Sequence, residues 1–461
     1  MRQGVIAAIS TPPGKGGVAI IRISGEGAHG IAERIFRPLS KRSIFDYPRR
    51  MQIYGYIICN GETADDGMLT LFDGPNSYTG EDIAEISCHG GILVTETILE
   101  ELFTLGAEPA EPGEFTRRAF TSGKLSLSEA EAIGNLLEAN TKEQIRLAAA
   151  PARTRLTKKT EELGNMITET LGSIYARIDY PEEDLGDFTD EETLERLTEI
   201  RTALSSLIDT YRTGRAINEG IRTVILGKPN AGKSTLYNSL IGEERAIVTD
   251  MAGTTRDVLE STVGLGRVTL RLTDTAGVRY SDDLCEAERI GIGRTRKSAE
   301  CAELILAVFD SSRPLDSDDR DTLSLLESCP GVKLCLINKS DVRSDGFEES
   351  LLPDIFERTI EMSAKDESSL CELEKAVNAL FTDERISPSS DAIVSSARQH
   401  GALRAALGFI DTAIEAYRQG IPADAASSDI ELALGALLEM DGRGTSEAMV
   451  DDIFSRFCVG K

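Results

Sequence analysis

The sequence predicts a multidomain protein that combines α/β segments with an all-α segment, and three patterns along its 461 residues indicate this. Residues 1–120 mix strand-like runs with turns. Residues 121–217 and 381–461 repeat apolar side chains at helical spacing. Residues 218–380 alternate short apolar strands with helices, which predicts a parallel sheet. The length itself fits about three domains, at roughly 150 residues each.

The strand predictions rest on short apolar runs that end at turn residues. In the first segment they cover residues 17–24 and 83–88, the second of which ends at Gly90-Gly91. In the α/β segment they cover residues 223–226, 268–272, 304–309 and 332–337. Strands that alternate with helices favour parallel pairing.

The helix predictions rest on apolar residues three and four positions apart. Leu163, Ile167, Leu171 and Ile174 follow this spacing before the α/β segment, and Leu403, Leu407, Ile410 and Ile414 follow it afterwards. We therefore expect one helical domain interrupted by an inserted α/β domain, because insertions are tolerated where two chain ends lie close together. Two separate helical domains are the alternative.

Composition excludes several classes of protein. The formal net charge is −27, from 50 basic and 77 acidic side chains, which excludes a protein that coats nucleic acid through a basic surface. No apolar run approaches the roughly 20 residues of a membrane span, and no signal-peptide layout opens the sequence. Eight cysteines without a CxxC pair exclude a zinc site of the usual Cys/His spacing and indicate reduced thiols. We expect a cytoplasmic protein without membrane contact.

A phosphate-binding loop follows the first strand of the α/β segment. Residues 227–234 (GKPNAGKS) match G-x-x-x-x-G-K-[ST] between a predicted strand and a predicted helix, as this motif requires. Lys233 would carry positive charge to the β- and γ-phosphates, and the Ser234 hydroxyl would bind Mg²⁺. The predicted nucleotide contacts of this loop are Asn230, Ala231, Gly232, Lys233, Ser234 and Thr235.

Two later loops predict that the base is guanine. Asn338-Lys-Ser-Asp341 follows a strand directly, and the Asp341 carboxylate can accept hydrogen bonds from guanine N1 and N2, a donor pair that adenine lacks. Asn338 and Lys339 would brace the loop and the ring face. Backbone N–H groups of Ser363, Ala364 and Lys365 would contact the guanine oxygen. The sequence therefore predicts GTP rather than ATP.

Two further segments predict loops that respond to the γ-phosphate. Asp274-Thr275-Ala276-Gly277 ends a strand, so Asp274 would reach Mg²⁺ through water and the Gly277 N–H would contact the γ-phosphate. Thr255 is the predicted switch threonine on Mg²⁺ and γ-phosphate. Val278 stands where Ras-like enzymes have a glutamine that orients water, so another group must do so here.

No arginine finger, which would supply positive charge to the transition state, can be identified from the sequence. Asn230, together with a switch segment rich in backbone carbonyls, could hold a monovalent cation near the phosphates. The alternative is that Asn230 only caps the phosphate-binding loop.

The last residues, Phe454 to Lys461, combine apolar side chains with a cysteine. Ile453, Phe454 and Phe457 predict a docked, ordered segment. Cys458 is then either a reactive thiol or an inert one, and composition does not decide between them.

Taken together, these motifs resemble the family of the tRNA modification GTPase MnmE, also called TrmE. The likeness runs from one end of the sequence to the other. It includes residues 10–18 (STPPGKGGV), 75–82 (PNSYTGED), 112–120 (PGEFTRRAF), the guanine-nucleotide motifs, and Phe457-Cys-Val-Gly-Lys461.

The resemblance implies an N-terminal α+β domain that binds folate and dimerises (1–120) and a discontinuous helical domain (121–217 and 381–461). It also implies an inserted Ras-like P-loop G domain (218–380), with a parallel or mixed sheet and helices on both faces. It implies a homodimer that works with an FAD-containing MnmG-type subunit in a heterotetramer. Together they would add an aminomethyl or carboxymethylaminomethyl group to carbon five of wobble uridine in tRNA. A formyl- or methylene-tetrahydrofolate would carry the one-carbon unit.

The resemblance also implies individual site residues. The folate contacts would be Arg22, Glu85, Lys124 and Lys461, and the K⁺ ligands would be Asn230, Thr249, Met251 (through its carbonyl) and Thr254. A glutamate would position water: the motif alignment favours Glu288, whereas the count from Asp274 favours Glu286. G domains meeting across their switches would complete the site.

Two other functions compete with tRNA modification. A GTPase switch for ribosome assembly would share the nucleotide motifs, but such proteins usually add a basic RNA-binding module, and the net charge of −27 counts against one. A scaffold that only binds nucleotide is the third interpretation, and it should hydrolyse GTP slowly in any salt.

Overall fold

The structure is a computed structural model that describes residues 4–180, 189–242, 260–273 and 296–461. The chain divides into two compact units, Met1–Gly134 with Leu438–Lys461, and Asn135–Leu437. Within the described ranges, we find no helix whose length and apolar character would suffice to cross a bilayer.

The first unit is built on a sheet whose described strands run in the order β3-β4-β5-β6-β2-β1-β7. All pairs are antiparallel except β1 with β7. The strands are β1 (Ile6–Ile9), β2 (Gly16–Ser24), β3 (Phe36–Pro38), β4 (Ile53–Cys59), β5 (Glu62–Phe72), β6 (Ile83–Gly90) and β7 (Glu108–Pro109). The helices are α1 (Ala28–Ile35), α2 (Ile92–Thr104), α3 (Glu114–Thr121), α4 (Leu127–Glu138) and α14 (Glu447–Ser455).

Alternation of side chains along β4 shows why this sheet has one buried face. Ile53 and Ile57 point into the core, whereas Tyr54 and Tyr56 between them are exposed. Successive side chains of a strand point to opposite faces, so a period of two buries one set. α1 and α2 cover the buried face.

The last residues of the chain are packed into the first unit, as their apolar side chains predict. Phe454 and Phe457 pack with Leu127 and Ala130 of α4. The Gly113 N–H donates to the Cys458 carbonyl at 3.3 Å. Main-chain pairing therefore holds the segment in addition to apolar burial.

The seven cysteines that the structure describes are all free. Burial raises the pKa of Cys59 and Cys88 to about 11 and that of Cys335 to about 12, which disfavours the reactive thiolate form. Cys458 is exposed, and its reactivity stays an open prediction.

The helices of the second unit lie before and after the α/β segment in the sequence. They are α5 (Lys142–Ala148), α6 (Ala150–Asp179), α7 (Asp190–Asp209), α8 (Tyr211–Asn218), α12 (Ala397–Arg418) and α13 (Ala423–Met440). α7 begins at a capping box in which Thr189 and Glu192 satisfy each other's backbone N–H groups. α7 packs on both α6 and α12. One helical bundle therefore forms from both sides of the inserted segment.

The inserted segment forms a second sheet, whose described strands have the order β13-β12-β11-β8-β10-β9. All neighbours are parallel except β9 with β10. The strands are β8 (Ile221–Leu226), β9 (Glu260–Leu265), β10 (Val268–Thr273), β11 (Leu304–Asp310), β12 (Val332–Asn338) and β13 (Arg358–Glu361). The helices are α9 (Lys233–Ile241), α10 (Ser317–Glu327) and α11 (Glu367–Phe381), with 3₁₀ turns at Ser340–Val342 and Glu349–Leu351.

Helices cover both faces of this sheet, which is why its strands are continuous apolar runs. Leu306 and Val308 of β11 pack on the face that carries α9 and α11. Ala307 and Phe309 pack on the face that carries α10. A parallel sheet buried on both sides leaves no polar alternation in the sequence. The predicted strands, and the Ras-like class with helices on both faces, are confirmed.

We expect Gly214→Ala to destabilise the protein by about 1–3 kcal/mol, because a Cβ there would lie 2.0 Å from the Val394 carbonyl oxygen and force α8 away from the segment that leads into α12. Gly408→Ala on α12 is the matched control, since a Cβ there meets no atom within 4 Å. The control should raise stability by about 0.5–1 kcal/mol through helix propensity. Urea unfolding measures both, and equal midpoints for the two variants would contradict this packing.

Candidate functional site

The phosphate-binding loop connects the C-terminal end of β8 to the N-terminus of α9. Gly227 has φ +150°, and a Cβ there would lie 2.3 Å from the Val308 carbonyl oxygen. Gly232 has φ +104°, and a Cβ there would lie 2.0 Å from Nδ2 of Asn338. Both positions therefore require glycine for conformation and for space. The loop brings backbone N–H groups to the start of a helix, where anions bind.

Lys233 lies at the first turn of α9 and reaches back over the loop. Its Nζ donates to the carbonyl oxygens of Gly227 at 2.7 Å and Lys228 at 2.8 Å. Burial lowers the pKa of this ammonium from its usual value. A phosphate beside Nζ would favour the charged form, so the position suits an anionic ligand. Ser234 is exposed on the same turn, and Thr235 is half-buried next to it.

Asn338 joins the phosphate-binding loop to the predicted base-binding loops. Its Nδ2 donates to the Ala231 carbonyl at 2.8 Å, and its Oδ1 accepts from the Ala364 N–H at 2.9 Å. The side chain is buried, with 3% of the residue exposed. Ser239 of α9 donates to the Ala364 carbonyl at 2.7 Å. One amide therefore sets the spacing of the segments after β8, β12 and β13.

The loop after β12 holds Asp341 at the surface. Lys339 has φ +62°, a left-handed conformation that is uncommon for a residue with a side chain. Its Nζ donates to Oδ2 of Asp310 at 2.7 Å. Desolvation opposes the charge of Asp310, but hydrogen bonds from Lys339 and Ser312 outweigh it and lower its pKa. Asp341 is exposed in the next 3₁₀ turn, where a ligand can reach its carboxylate.

Several residues that support this site were not predicted from the sequence. Lys228, within the phosphate-binding loop, is buried and donates to Asp316 at 2.7 Å and to Asp319 at 2.5 Å. Desolvation lowers the pKa of Lys228, but these two hydrogen bonds outweigh it and raise the pKa. No local pattern pairs residues about 90 positions apart. Asp310 did carry a signal, since a polar residue ending an apolar parallel strand lies at the ligand edge.

The predicted residues of the switch and catalytic segments lie outside the described residues. They are Thr249, Met251, Thr254, Thr255, Asp274, Thr275, Ala276, Gly277, Val278, Glu286 and Glu288. Their roles stay predictions.

In the first unit, Arg22 and Glu85 face each other across β2 and β6. Arg22 Nε donates to Glu85 Oε1 at 2.9 Å, and both side chains are partly buried. The guanidinium carbon lies 5.4 Å from the centroid of the Tyr78 ring and 5.5 Å from that of Phe115. The sheet therefore presents an ion pair beside two aromatic rings.

Lys124 and Lys461, which were predicted as folate contacts together with this pair, lie on segments that contact the elements carrying Tyr78 and Phe115. Lys124 Nζ donates to the Pro75 carbonyl at 2.7 Å, in the loop that carries Tyr78. The Phe115 N–H donates to the Lys461 carbonyl at 3.1 Å. The structure thus brings Arg22 and Glu85 into direct contact and anchors both lysine segments on elements that carry the two rings.

Solved structures of GTP-binding proteins resemble part of the chain. A variant of Era from Aquifex aeolicus bound to GDP·AlF4⁻ is 22% identical and covers 41% of this chain and 65% of its own, with a TM-score of 0.26. The G domain of the FeoB iron transporter from T. maritima is 22% identical and covers 34% of this chain and 96% of its own, also with a TM-score of 0.26.

Family models and full-length relatives match far more of the chain. The model described as GTP-binding protein TrmE N-terminus matches residues 5–124, and the MnmE helical domain matches residues 127–458. The tRNA modification GTPase MnmE of Clostridioides difficile is 39% identical over 457 residues, 99% of each chain. The protein of the same name from Acetivibrio thermocellus is 38% identical over 468 residues and 100% of both. The chain therefore belongs to the family of the tRNA modification GTPase MnmE.

Proposed function

We propose that this GTPase binds GTP across the loops that Asn338 joins and couples its hydrolysis to the modification of wobble uridine in tRNA. The family supports a GTPase of tRNA modification. The observation that carries the nucleotide site is the pair of Asn338 hydrogen bonds to Ala231 and Ala364. They hold a phosphate-binding loop and a base-binding loop at the same edge of a parallel sheet, where ligands bind in such folds.

Guanine selection is assigned to Asp341. Its exposed carboxylate follows Lys339, whose ion pair with Asp310 fixes the start of the loop. An ionised carboxylate only accepts hydrogen bonds, so it complements the N1–H and N2–H₂ edge of guanine. Ser363, Ala364 and Lys365 would meet the guanine oxygen through backbone N–H groups.

Hydrolysis would depend on bound cations together with loop residues. Ser234 and Thr255 would hold Mg²⁺, with Asp274 acting through water; Ser234 fits because it is exposed beside the Lys233 ammonium. Asn230 is exposed in the loop with φ +62°, which fits a K⁺ ligand. Thr249, Met251 and Thr254 would complete that set. A bound K⁺ would supply positive charge near the phosphates. Glu288 or Glu286 would position the attacking water.

A folate one-carbon carrier fits the first unit. The guanidine-like edge of a pterin complements the Glu85 carboxylate, and Arg22 with the Tyr78 and Phe115 rings offers a flat apolar and cationic surround. The anionic tail of the carrier would meet Lys124 and Lys461. We propose a formyl- or methylene-tetrahydrofolate in this role.

Transfer to tRNA would need a partner. The formal net charge of −27 makes the chain a poor binder of phosphate backbones by itself. We propose that a homodimer of the chain works in the cytoplasm with an FAD-containing MnmG-type subunit, as a heterotetramer. The product would be an aminomethyl or carboxymethylaminomethyl group on carbon five of the wobble uridine.

Asp341→Asn should weaken GTP binding roughly 10- to 100-fold, because it removes a hydrogen bond to a charged acceptor. The same change should improve binding of xanthosine triphosphate, whose 2-oxo group accepts from an amide. Calorimetry with GTP, ATP and xanthosine triphosphate measures this. Asp345→Asn, another exposed aspartate of the same loop, is the matched control and should leave GTP affinity unchanged. Equal affinity of the unaltered protein for GTP and ATP would reject the site.

GTP turnover should fall at least about tenfold when Na⁺ replaces K⁺, because the smaller ion fits the predicted ligand set less well and contributes less to charge stabilisation. Asn230→Gly should abolish the difference between the salts, since glycine keeps the left-handed backbone and removes the amide. Phosphate release measures turnover, and GTP affinity is determined in both salts as the control. Equal rates in K⁺ and Na⁺ for the unaltered protein would remove the cation from the proposal.

Mass spectrometry of wobble uridine from a deletion strain tests the whole function. The strain should lack the modification, and the unaltered gene should restore it. Lys233→Ala should fail because phosphate binding is lost. Glu85→Gln should also fail, although the purified variant should keep its GTP turnover because the two sites use different residues. Glu62→Gln, an exposed glutamate on β5 of the same sheet, is the control and should restore modification. An unchanged tRNA in the deletion strain would overturn the proposed function.

A further inference from the structure

Three side chains with metal-ligating atoms converge where the loop between β5 and β6 begins and ends. His29 lies on α1, Asp73 follows β5 directly, and Asp82 precedes β6 directly. One ring nitrogen and one oxygen of each carboxylate all lie within 4.8 Å of one another. The three residues lie far apart in the sequence, so they form no motif of closely spaced ligands.

The hydrogen bonds of His29 decide which ring nitrogen faces the carboxylates. The side chain is 9% exposed, and its Nε2 lies 3.1 Å from both the Phe72 and Ile83 carbonyl oxygens. Carbonyls only accept, so Nε2 carries the proton. Nδ1 then points toward Asp73 Oδ1 at 3.7 Å and Asp82 Oδ2 at 3.9 Å, both longer than a hydrogen bond.

The electrostatics of this group favour a cation. His29 Nδ1 faces two carboxylates. Arg49 Nε donates to Asp73 Oδ1 at 2.7 Å, and the Gly74 N–H donates to Asp82 Oδ1 at 3.0 Å. Two carboxylates and one guanidinium leave a net negative charge. A cation between Nδ1 and the two carboxylates would balance this charge.

We propose that His29, Asp73 and Asp82 bind a divalent first-row transition cation, for which Zn²⁺ is the probe. Tetrahedral Zn²⁺ with ligand bonds of about 2.0–2.2 Å holds its ligand atoms about 3.4 Å apart, within a few tenths of an ångström of the two separations from Nδ1. Metal-bound histidines usually donate their other N–H to a carbonyl or carboxylate, as Nε2 does here. An imidazole ligand selects against Mg²⁺ and Ca²⁺, which prefer oxygen.

The bound cation would tie both ends of residues 74–81 to α1. This loop carries Tyr78, whose hydroxyl lies 2.9 Å from Oγ1 of Thr116 on α3. The Asp73 and Asp82 side chains are 53% and 42% exposed, so the remaining coordination positions face solvent. The role is structural: the cation holds the loop closed and adds stability to the first unit.

A second cluster in the same sheet provides the contrast. His89 Nδ1 already lies 2.7 Å from Asp65 Oδ1, and this ring is 66% exposed. The hydrogen bond to Asp65 raises the pKa of His89. The Nδ1 atom of His89 is therefore already hydrogen-bonded to Asp65, so Asp65 is a matched control position.

Calorimetry of Zn²⁺ binding to the full-length, metal-stripped protein in excess Mg²⁺ tests the site. The unaltered protein should bind one Zn²⁺ that Asp73→Asn and Asp82→Asn each weaken at least about tenfold. Both aspartates are half-exposed, so these variants should fold, and circular dichroism checks this. Arg49→Gln removes the guanidinium contact but no ligand, and Asp65→Asn alters only the second cluster. Both controls should keep the Zn²⁺ site.

Thermal unfolding gives an independent readout, because a ligand that binds only the folded state raises the midpoint. Zn²⁺ should raise the midpoint of the unaltered protein and of Arg49→Gln, but not that of Asp82→Asn. A folded protein that binds no Zn²⁺ would overturn the proposal. Loss of Zn²⁺ in Asp65→Asn with retention in Asp73→Asn and Asp82→Asn would also overturn it.

Discussion

The buried amide of Asn338 is the interaction on which the nucleotide site depends. It accepts from the Ala364 N–H and donates to the Ala231 carbonyl, so a single side chain satisfies main-chain groups on two loops. Removing it would leave two buried polar groups unpaired, at a cost of about 1–3 kcal/mol each. Its Nδ2 also occupies the space that a Cβ at residue 232 would need, which makes glycine obligatory there. One short side chain thus fixes the distance between the loop after β8 and the loop after β13.

The phosphate-binding loop is braced from a second direction by Lys228. This buried lysine pairs with Asp316 and Asp319 at the start of α10. A buried charge without its partners would be strongly destabilising, so the pair ties the loop conformation to that helix. The two lysines of the loop therefore have opposite tasks. Lys233 lies at the predicted phosphate position, and burial lowers its pKa. The charge of Lys228 is instead paired with two aspartates and raises no demand for a ligand.

In the first unit, a few side-chain contacts likewise hold the loop between β5 and β6. The Tyr78 hydroxyl of this loop hydrogen-bonds with Thr116 of α3, Lys124 donates to the Pro75 carbonyl of the loop, and the His29 cluster lies where the loop begins and ends. The last residues of the chain are held nearby, because the N–H groups of Gly113 and Phe115 donate to their main-chain carbonyls. Chain ends are usually poorly ordered unless they are tied down, and this one is tied by backbone pairing and by two buried phenylalanines.

Local features were readable from the sequence because their causes are local. The glycines and Lys233 of the phosphate-binding loop, the apolar run of β11 and the helical spacing of α6 and α12 depend on neighbours a few positions away. Tertiary structure alone decided the pairings of Arg22 with Glu85, Lys228 with Asp319, and His29 with Asp73 and Asp82. Each of these depends on strand register or on chain segments that meet only when the core closes. Such contacts follow from many weak burial terms summed over the whole domain, and no short window of residues contains that sum.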